Sequence, residues 1–311
     1  MTEPTLSPSR PLSIAVMGAG SVGCYFGALL ARAGHPVTLI GRAAHVQSIA
    51  QQGLRLQTAS LDLFIPVRAS TDAASIAGAD VVLFCVKSTD TEHAAAQIQP
   101  YLAPHTQVLC LQNGVDNDER VRRILGAQPV AATVVYVATA MAGAGHVRHF
   151  GRGELVIAPG PQSDRIARQF SAAGIPTEVS HGVRAALWQK LIINCVYNAL
   201  SALTQQSYGW LVAQAGTEAV MQDIIRECKA VAQADGVDLP PQLDEAVAAI
   251  ARTMPGQLSS TAQDLARGKA TESDHLNGYV VQRGQALGIA TPVNRLLQLL
   301  VQLQQAGSKL G

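Results

Sequence analysis

Charged residues are scarce in this sequence: Asp, Glu, Lys and Arg together make up 14% of the 311 residues. In globular proteins their usual share is about 25%. The 23 Lys and Arg residues nearly cancel the 22 Asp and Glu residues, which leaves a formal net charge of +1. Because neither sign is in excess, we expect neither a nucleic acid nor an acidic membrane surface as a partner. The hydrophobic share of 48% excludes a disordered chain.

Cysteine is also sparse, and its spacing excludes several kinds of site. The two nearest of the five cysteines, Cys85 and Cys110, are 25 positions apart, so neither a CxxC pair nor the ligand spacing of a zinc site occurs. Most cysteines lie in apolar runs such as VVLFCV and LIINCV, which is typical of small buried side chains. We therefore predict no metal site and a cytoplasmic protein.

Long apolar runs are missing too, since no 18 consecutive residues are apolar. The segment LSIAVMGAGSVGCYFGALLA resembles a signal peptide or a short membrane span, but its glycines would weaken a membrane helix. We predict no targeting segment and no membrane partner. The length suggests two domains, which we place at residues 1–181 and 182–311, with residues 1–11 as a loose tail.

A glycine pattern lies where a predicted strand meets a predicted helix. The apolar run SIAVMG is followed by SVGCYFGALLARAG, which has helical spacing, and then by the strand-like HPVTLIGR. Within this βαβ unit, Gly18, Gly20 and Gly23 form the G-x-G-x-x-G pattern of dinucleotide-binding folds. They would provide a tight turn, close approach to a pyrophosphate and close helix packing, with the anion at the helix N-terminus. The alternative is an ordinary glycine-rich turn.

The next strand indicates which dinucleotide binds. NAD enzymes usually carry an Asp or Glu there, which accepts hydrogen bonds from the ribose hydroxyls. This chain has the sequence IGR instead, with Arg42 at that place. A guanidinium suits a 2′-phosphate, so we predict NADPH as the cofactor. A solvated loop arginine is the alternative.

Further strand-like runs predict a mostly parallel sheet, and two polar residues follow its strands. The strand-like runs are LRLQ, FIPVRAS, ADVVLFCVK, TQVLCLQNG and PVAATVVYVATAM. Lys87 and Asn113 lie at the ends of two of these runs, at the carboxyl edge where such sheets bind ligands. The alternatives are a solvent-seeking lysine at a strand end and a hairpin turn at Asn113-Gly114. The fold predicted for this half is a Rossmann-type α/β domain.

Helical patterns dominate after His181, which predicts an all-helical second domain. Its first helix, VRAALWQKLIINCVYNALSALT, is apolar nearly all round, yet Lys190, Asn194 and Asn198 recur every four residues on one stripe. Buried polar groups without partners are costly, so this stripe should face something polar. Snorkelling of the lysine and interhelical amide bonds are the alternatives.

A second polar segment, LSSTAQDLARGKATESDHLNGYVV, contains candidates for that polar partner. We predict that Thr271 caps a helix and places Glu272 in its first turn, where the helix dipole favours a carboxylate. Ser259 and Ser260 have the pattern of helix caps as well. Taken alone, all of these are ordinary signals of a helix start.

The blocks ALWQKLIINCVYNALSAL and LSSTAQDLARGKATESDHLNGYVVQRGQALGIATP resemble the ketopantoate reductase family. GAGSVG, IGR, CVK and QNG occur in the order that the family has, and the resemblance covers nearly the whole chain from Leu12. The resemblance implies reduction of a small 2-oxo acid, 2-dehydropantoate, to pantoate with NADPH, a step toward pantothenate and coenzyme A. It implies that Lys190 is the catalytic lysine, with Glu272 as its acidic partner. Three further residues would bind the substrate: Asn194, Asn198 and Ser260. The cofactor side would be lined by Arg42, Lys87 and Asn113.

Hydride addition to a ketone places negative charge on its oxygen, so a donor must point at that oxygen. Lys190, largely protonated at neutral pH, can act as that general acid. Because the cofactor residues and the lysine stripe fall in different predicted domains, we expect the active site in the cleft between them. Two other functions stay open: reduction of another 2-oxo acid or of an imine, and a non-catalytic NADPH-binding regulator. A homodimer through apolar faces of the second domain is a further alternative.

Overall fold

The computed structural model describes residues 10–307, so residues 1–9 of the predicted tail lie outside the described part. The chain divides into two compact units. The first comprises residues 1–112 and 116–183, and the second comprises 113–115 and 184–311. Arg10, in the predicted tail, donates to the carboxylate of Asp80 at 2.8 Å.

The first unit contains a ten-stranded sheet, in the order β4-β3-β9-β8-β7-β6-β1-β2-β5, with β10 beside β9. Its strands are β1 (Ile14–Met17), β2 (Val37–Ile40), β3 (Leu54–Gln57), β4 (Asp62–Ile65), β5 (Arg68–Ser70), β6 (Val81–Phe84), β7 (Gln107–Cys110), β8 (Val130–Gly143), β9 (His146–Ile157) and β10 (Thr177–Val179). Six neighbouring strands of this sheet, in the order β8-β7-β6-β1-β2-β5, are all parallel. Two pairs, β8 with β9 and β3 with β4, are antiparallel.

Helices cover the sheet on both faces: α1 (Ser21–Arg32), α2 (Ala43–Gln52), α3 (Thr91–Ile98), α4 (Asn117–Leu125) and α5 (Ser163–Ala172). One apolar core includes residues of α1 and α5, and another includes residues of α3 and α4. The strands β1, β6 and β7 are buried at every position, as their continuous apolar runs predict for central parallel strands. The predicted Rossmann-type fold is therefore confirmed.

One sequence prediction about a strand differs from the structure. The run FIPVRAS was expected to form one strand, but it contributes to β4 and β5, which pair with different neighbours on either side of Pro66. Proline lacks the N–H that a continuous ladder requires. The run FGRGELVI forms the last part of the long strand β9. Its glycines lie at register shifts against β8, where Arg152 also has a positive φ of 60°.

The second unit is helical, as predicted. Its helices are α6 (Val183–Thr204), α7 (Tyr208–Val212), α8 (Thr217–Ala234), α9 (Leu243–Thr253), α10 (Ser260–Ala266), α11 (Asn277–Leu287) and α12 (Pro292–Gly307). The first helix, α6, forms over the whole predicted segment and buries Trp188, Ile192 and Cys195 completely. Within residues 10–307, no helix has the length and apolarity that crossing a membrane requires.

Candidate functional site

The glycine-rich turn after β1 has the geometry that its sequence predicts. Gly18 has φ of +107°, and a Cβ there would lie 2.7 Å from the backbone nitrogen of Val86. A Cβ on Gly23 would collide with the Gly18 carbonyl oxygen and lie 2.7 Å from a methyl of Val16. A Cβ on Gly20, in contrast, would meet no atom within 4 Å. Two glycines therefore permit the turn and the helix packing, while the third leaves open space.

That open space lies at the N-terminus of α1, where an anion is favoured. Gly20 is the N-cap residue, no side chain caps the helix, and its first turn holds no acidic residue. The first backbone N–H groups of a helix have no partner within the helix, and they carry its positive dipole end. An uncapped start beside a side-chain-free residue fits the diphosphate of a dinucleotide.

Arg42 follows β2 beside this turn. The turn after β2 packs on the glycine-rich turn, because Gly18 and Ala19 both donate to the Ile40 carbonyl, at 3.1 and 2.9 Å. A Cβ on Gly41 would lie 2.6 Å from the Ala19 side chain, so only glycine permits this approach. The sequence analysis missed this role of Gly41, although the IGR pattern contains it. Arg42 itself is exposed, and no side chain among residues 10–307 pairs with its guanidinium.

Lys87 and Asn113 follow two strands that end level with β1. Met17 pairs with Phe84, and Phe84 pairs with Cys110, so β1, β6 and β7 end at one edge of the sheet. Lys87 and Asn113 each come three residues after their strand, and both are half-buried. Because β7 is parallel to both of its neighbours, the hairpin turn considered for Asn113-Gly114 is wrong. Asn113 belongs to the second unit, which includes residues 113–115.

A buried polar network, which sequence reasoning missed, fixes the segment after Lys87. Arg120 of α4 has a side chain that is only 9% exposed. It donates to the Ser88 carbonyl at 2.8 Å, to Asn117 at 3.2 Å and to both carboxylate oxygens of Glu92, at 2.6 and 2.7 Å. The hydrogen bonds of Arg120 lower the pKa of Glu92 to about 2. The only signal in the sequence was a charged residue placed on the inner face of α4.

The stripe on α6 forms on one continuous helix, as predicted. Lys190 and Asn194 are half-buried, and Asn198 is 3% exposed. The side-chain amide of Asn198 lies 3.3 Å from the Thr261 hydroxyl and 3.5 Å from the Ser260 hydroxyl. Two of the three predicted substrate residues, Asn198 and Ser260, therefore come together. Ser260 is exposed at the first position of α10.

Ser259 connects α6 to α10. Its hydroxyl accepts from the Ala262 backbone at 3.0 Å, which confirms it as a helix cap, and it donates to the Asn198 carbonyl at 3.2 Å. Its backbone N–H donates to the Ser201 hydroxyl at 3.2 Å. Because Ser259 is fully buried, these bonds fix the start of α10 beside the stripe. Ser260 is the first helical residue, so its expected capping role is wrong.

Glu272 lies at a different kind of helix start from the one predicted. Thr271 does not cap a helix; its hydroxyl bonds Ser273 at 3.2 Å, and its N–H donates to Gln305 at 2.7 Å. Only a short 3-10 turn, Ser273–His275, follows Glu272, and the non-helical backbone of Leu276 separates it from α11. Glu272 is half-buried. The pairing of Lys190 with Glu272 stays a prediction.

Metal-ligating side chains are dispersed in the described chain. No group of three or more His, Cys, Asp or Glu residues within 10–307 is arranged to hold a metal ion. Four of the five cysteines are buried thiols, and burial raises the pKa of Cys24 to about 12. A thiol in this state is neutral and a poor nucleophile.

Comparisons with known proteins cover both units. The family model described as "Ketopantoate reductase PanE/ApbA" matches residues 14–162, and the model of its C-terminal part matches residues 182–305. A protein of Halobacterium salinarum named "2-dehydropantoate 2-reductase" is 35% identical over 306 residues, covering 94% of this chain and 99% of the relative. A Vibrio cholerae protein of the same name is 33% identical and covers 96% of this chain and 100% of the relative.

Solved structures show the same fold. The crystal structure of a PanE/ApbA family ketopantoate reductase from Ralstonia eutropha matches with a TM-score of 0.94 and 58% sequence identity. The match covers 96% of this chain and 100% of that chain. Both units therefore have counterparts in that protein.

Proposed function

Because the chain belongs to the ketopantoate reductase PanE/ApbA family, we propose that it reduces 2-dehydropantoate to pantoate with NADPH. The family membership confirms the resemblance found in the sequence. The reaction that this chain catalyses is our proposal. The observation that carries it is the match of full-length relatives named for this reaction, at 35% and 33% identity. The open, uncapped helix start at Gly20 supports a dinucleotide cofactor.

The residues that we propose to bind the cofactor have separate tasks. The N-terminus of α1 binds the diphosphate, with Gly18, Gly20 and Gly23 permitting the approach. The exposed guanidinium of Arg42 binds the 2′-phosphate that distinguishes NADPH from NADH. When bound, the nicotinamide supplies a hydride. Lys87 and Asn113 would contact the cofactor beyond the ends of β6 and β7.

The second unit would bind and protonate the substrate. Lys190 donates a proton to the ketone oxygen as negative charge develops there, so it acts as general acid and as electrostatic stabiliser. Glu272 would keep the lysine charged and oriented. Asn194, Asn198 and Ser260 would donate or accept hydrogen bonds at the substrate's hydroxyl and carboxylate oxygens. The approach of Asn198 to Ser260 supports this grouping.

The test is oxidation of NADPH, followed by its absorbance, with a panel of 2-oxo acids that includes 2-dehydropantoate. Lys190→Ala should lower kcat by about 100-fold or more, because a general acid contributes about that factor. Binding of NADPH, measured by fluorescence titration, should remain close to wild type. Lys229→Ala is the matched control, since Lys229 pairs with Asp244 at 2.6 Å on the same unit and should leave kcat unchanged.

Each outcome of this assay selects one function. Faster turnover of another 2-oxo acid, or of an imine, would assign the protein to that substrate instead. Binding of NADPH without turnover of any substrate would indicate the non-catalytic regulator. Normal turnover by Lys190→Ala would remove this residue from the role of general acid. We also propose that the protein is cytoplasmic and that it forms a homodimer.

A further inference from the structure

A segment of only three residues carries Asn113. Residues 113–115 belong to the second unit, although the chain before and after them belongs to the first. Gly114 has φ of +106°, a left-handed conformation that glycine adopts without strain. Glycine also leaves the backbone more freedom than any other residue does. The conformation of the backbone at Asn113 therefore depends on what holds the end of the segment, Val115.

Val115 is held in two ways. It is only 1% exposed, and its carbonyl oxygen accepts a hydrogen bond from Nη1 of Arg184 at 3.3 Å. Arg184 lies in the first turn of α6, the helix that also carries Lys190. Burial of an apolar side chain is non-directional, so it fixes a position but no orientation. The hydrogen bond adds the orientation, because it sets the direction of the Val115 carbonyl.

A buried carboxylate orients Arg184 in turn. Asp235, at the C-terminal end of α8, has a side chain that is only 3% exposed. Its Oδ2 accepts from Nη2 of Arg184 at 2.8 Å, and its Oδ1 accepts from Nε of Arg283 at 2.6 Å. The negative end of a helix dipole disfavours a carboxylate, and burial disfavours it further. The two arginines therefore account for the position of Asp235.

The guanidinium of Arg184 connects this carboxylate to Val115. It is planar and rigid, so fixing Nη2 on Asp235 also directs Nη1 toward the Val115 carbonyl. A hydrogen bond from a charged donor is about twice as strong as one between neutral groups. We infer that Arg184 is a positioning residue: held by Asp235, it fixes residues 113–115 in the arrangement in which Asn113 contacts the cofactor. This inference rests on the proposed function, in which Asn113 contacts NADPH.

Arg283 offers a matched control, because it bonds the same carboxylate. The side chains of Arg184 and Arg283 are exposed by 38% and 40%, and each pairs with one oxygen of Asp235. Removing either arginine takes one ion pair from Asp235, so a purely structural role would make the two variants alike. The inference predicts that they differ, because Arg184 also donates to the Val115 carbonyl.

The first experiment measures hydrogen exchange of the peptide that contains residues 113–115, by mass spectrometry and without cofactor. Arg184→Ala should speed exchange of the amides in this segment by about tenfold, because a hydrogen bond from a charged group is lost. Arg283→Ala should leave their exchange within about twofold of wild type. Unchanged exchange in Arg184→Ala, or equal acceleration in both variants, would overturn the inference.

The second experiment is a fluorescence titration with NADPH. Arg184→Ala should weaken binding by about tenfold, and Arg283→Ala should change it by less than about twofold. In a chain that already carries Asn113→Ala, the substitution Arg184→Ala should weaken binding no further, because the arginine acts through Asn113. Losses that add in the double variant would overturn the inference, and so would equal losses in the two arginine variants.

Circular dichroism melts of each variant separate loss of the positioning contact from loss of the fold. Wild-type NADPH affinity in Asn113→Ala would overturn the cofactor role of Asn113 and, with it, the inference about Arg184. Neither experiment uses a 2-oxo acid. A protein that binds NADPH but does not reduce 2-dehydropantoate would therefore fail the proposed reaction and leave both readouts for Arg184 intact.

Discussion

Gly20 and Gly23 lie three residues apart in the same turn, yet the structure predicts opposite consequences when each is changed to alanine. A methyl group on Gly20 would point into open space, whereas one on Gly23 would meet backbone and side-chain atoms of β1 and its turn. The first substitution should therefore change ligand binding and leave the fold intact. The second should change the fold.

The magnitudes follow from these surroundings. Gly20 has φ of −84°, which alanine adopts readily, so a reduced unfolded-state entropy worth about 0.4–1 kcal/mol offsets the loss of a good N-cap residue. The free energy of unfolding should then change by about 0.5 kcal/mol or less. Gly23→Ala overpacks a buried contact, which costs about 1–3 kcal/mol. In a unit of this size, each kcal/mol lowers Tm by about 2–4 °C.

The assays are a thermal melt and a fluorescence titration with NADPH. Gly20→Ala should melt with the wild type and bind NADPH at least about tenfold more weakly, because the methyl group occupies the space that a phosphate needs. Gly23→Ala should melt several degrees lower. Wild-type NADPH affinity in Gly20→Ala would refute the close approach of a diphosphate, and an unchanged Tm in Gly23→Ala would refute the packing argument.

Two further predictions concern single charged side chains of the first unit. Arg42→Ala should weaken binding of NADPH far more than binding of NADH in parallel titrations, and equal weakening of both would exclude a contact with the 2′-phosphate. Glu92→Gln should lower the free energy of unfolding at pH 7 by about 1 kcal/mol. This loss is modest because the carboxylate is half exposed, and solvent weakens its ion pair with Arg120. Since the pKa of Glu92 is lowered from 4.5 to about 2, its contribution is complete above pH 4.5 and lost as the pH falls toward 2. Denaturant unfolding at several pH values should show wild type and Glu92→Gln converging over that range; a constant difference would contradict the ion pair with Arg120.

The local pattern predicted the fold where one element buries its whole surface. Strand β6 and helix α6 are apolar nearly all round, and their bounds lie close to the predicted runs. The pattern failed where a neighbour decides the structure. In FIPVRAS, β3 pairs with the residues before Pro66 and β2 pairs with those after it, and neither partner is visible from the run itself. Short helices such as α7 and α10 span too few turns to show a period.

In the candidate site, too, the sequence predicted local features and missed those that depend on distant residues. Gly18, Gly20 and Gly23 were predictable as a pattern because they lie within six consecutive residues, and the structure leaves no room for a side chain at Gly18 or Gly23. The capping role assigned to Thr271 was wrong because its hydroxyl bonds Ser273 and only a short 3-10 turn follows Glu272, while its backbone N–H donates to Gln305. Gln305 lies on α12, and no local motif links it to Thr271. The buried position of Arg120 was likewise invisible, since its partners Ser88 and Glu92 precede it by about thirty residues.

A chain of buried and partly buried hydrogen bonds connects α12 to α6, the helix of Lys190. The carboxylate of Glu227 accepts from the backbone of Val293 and Asn294 at the start of α12, at 2.8 and 3.0 Å. The fully buried Asn294 accepts from Asn277 at 2.9 Å, and Asn277 donates to the Cys195 carbonyl in α6 at 3.1 Å. Removing one member would leave buried polar groups unpaired, at a cost of about 1–3 kcal/mol each. Helix α12 is therefore fixed to α6 by polar contacts as well as by packing.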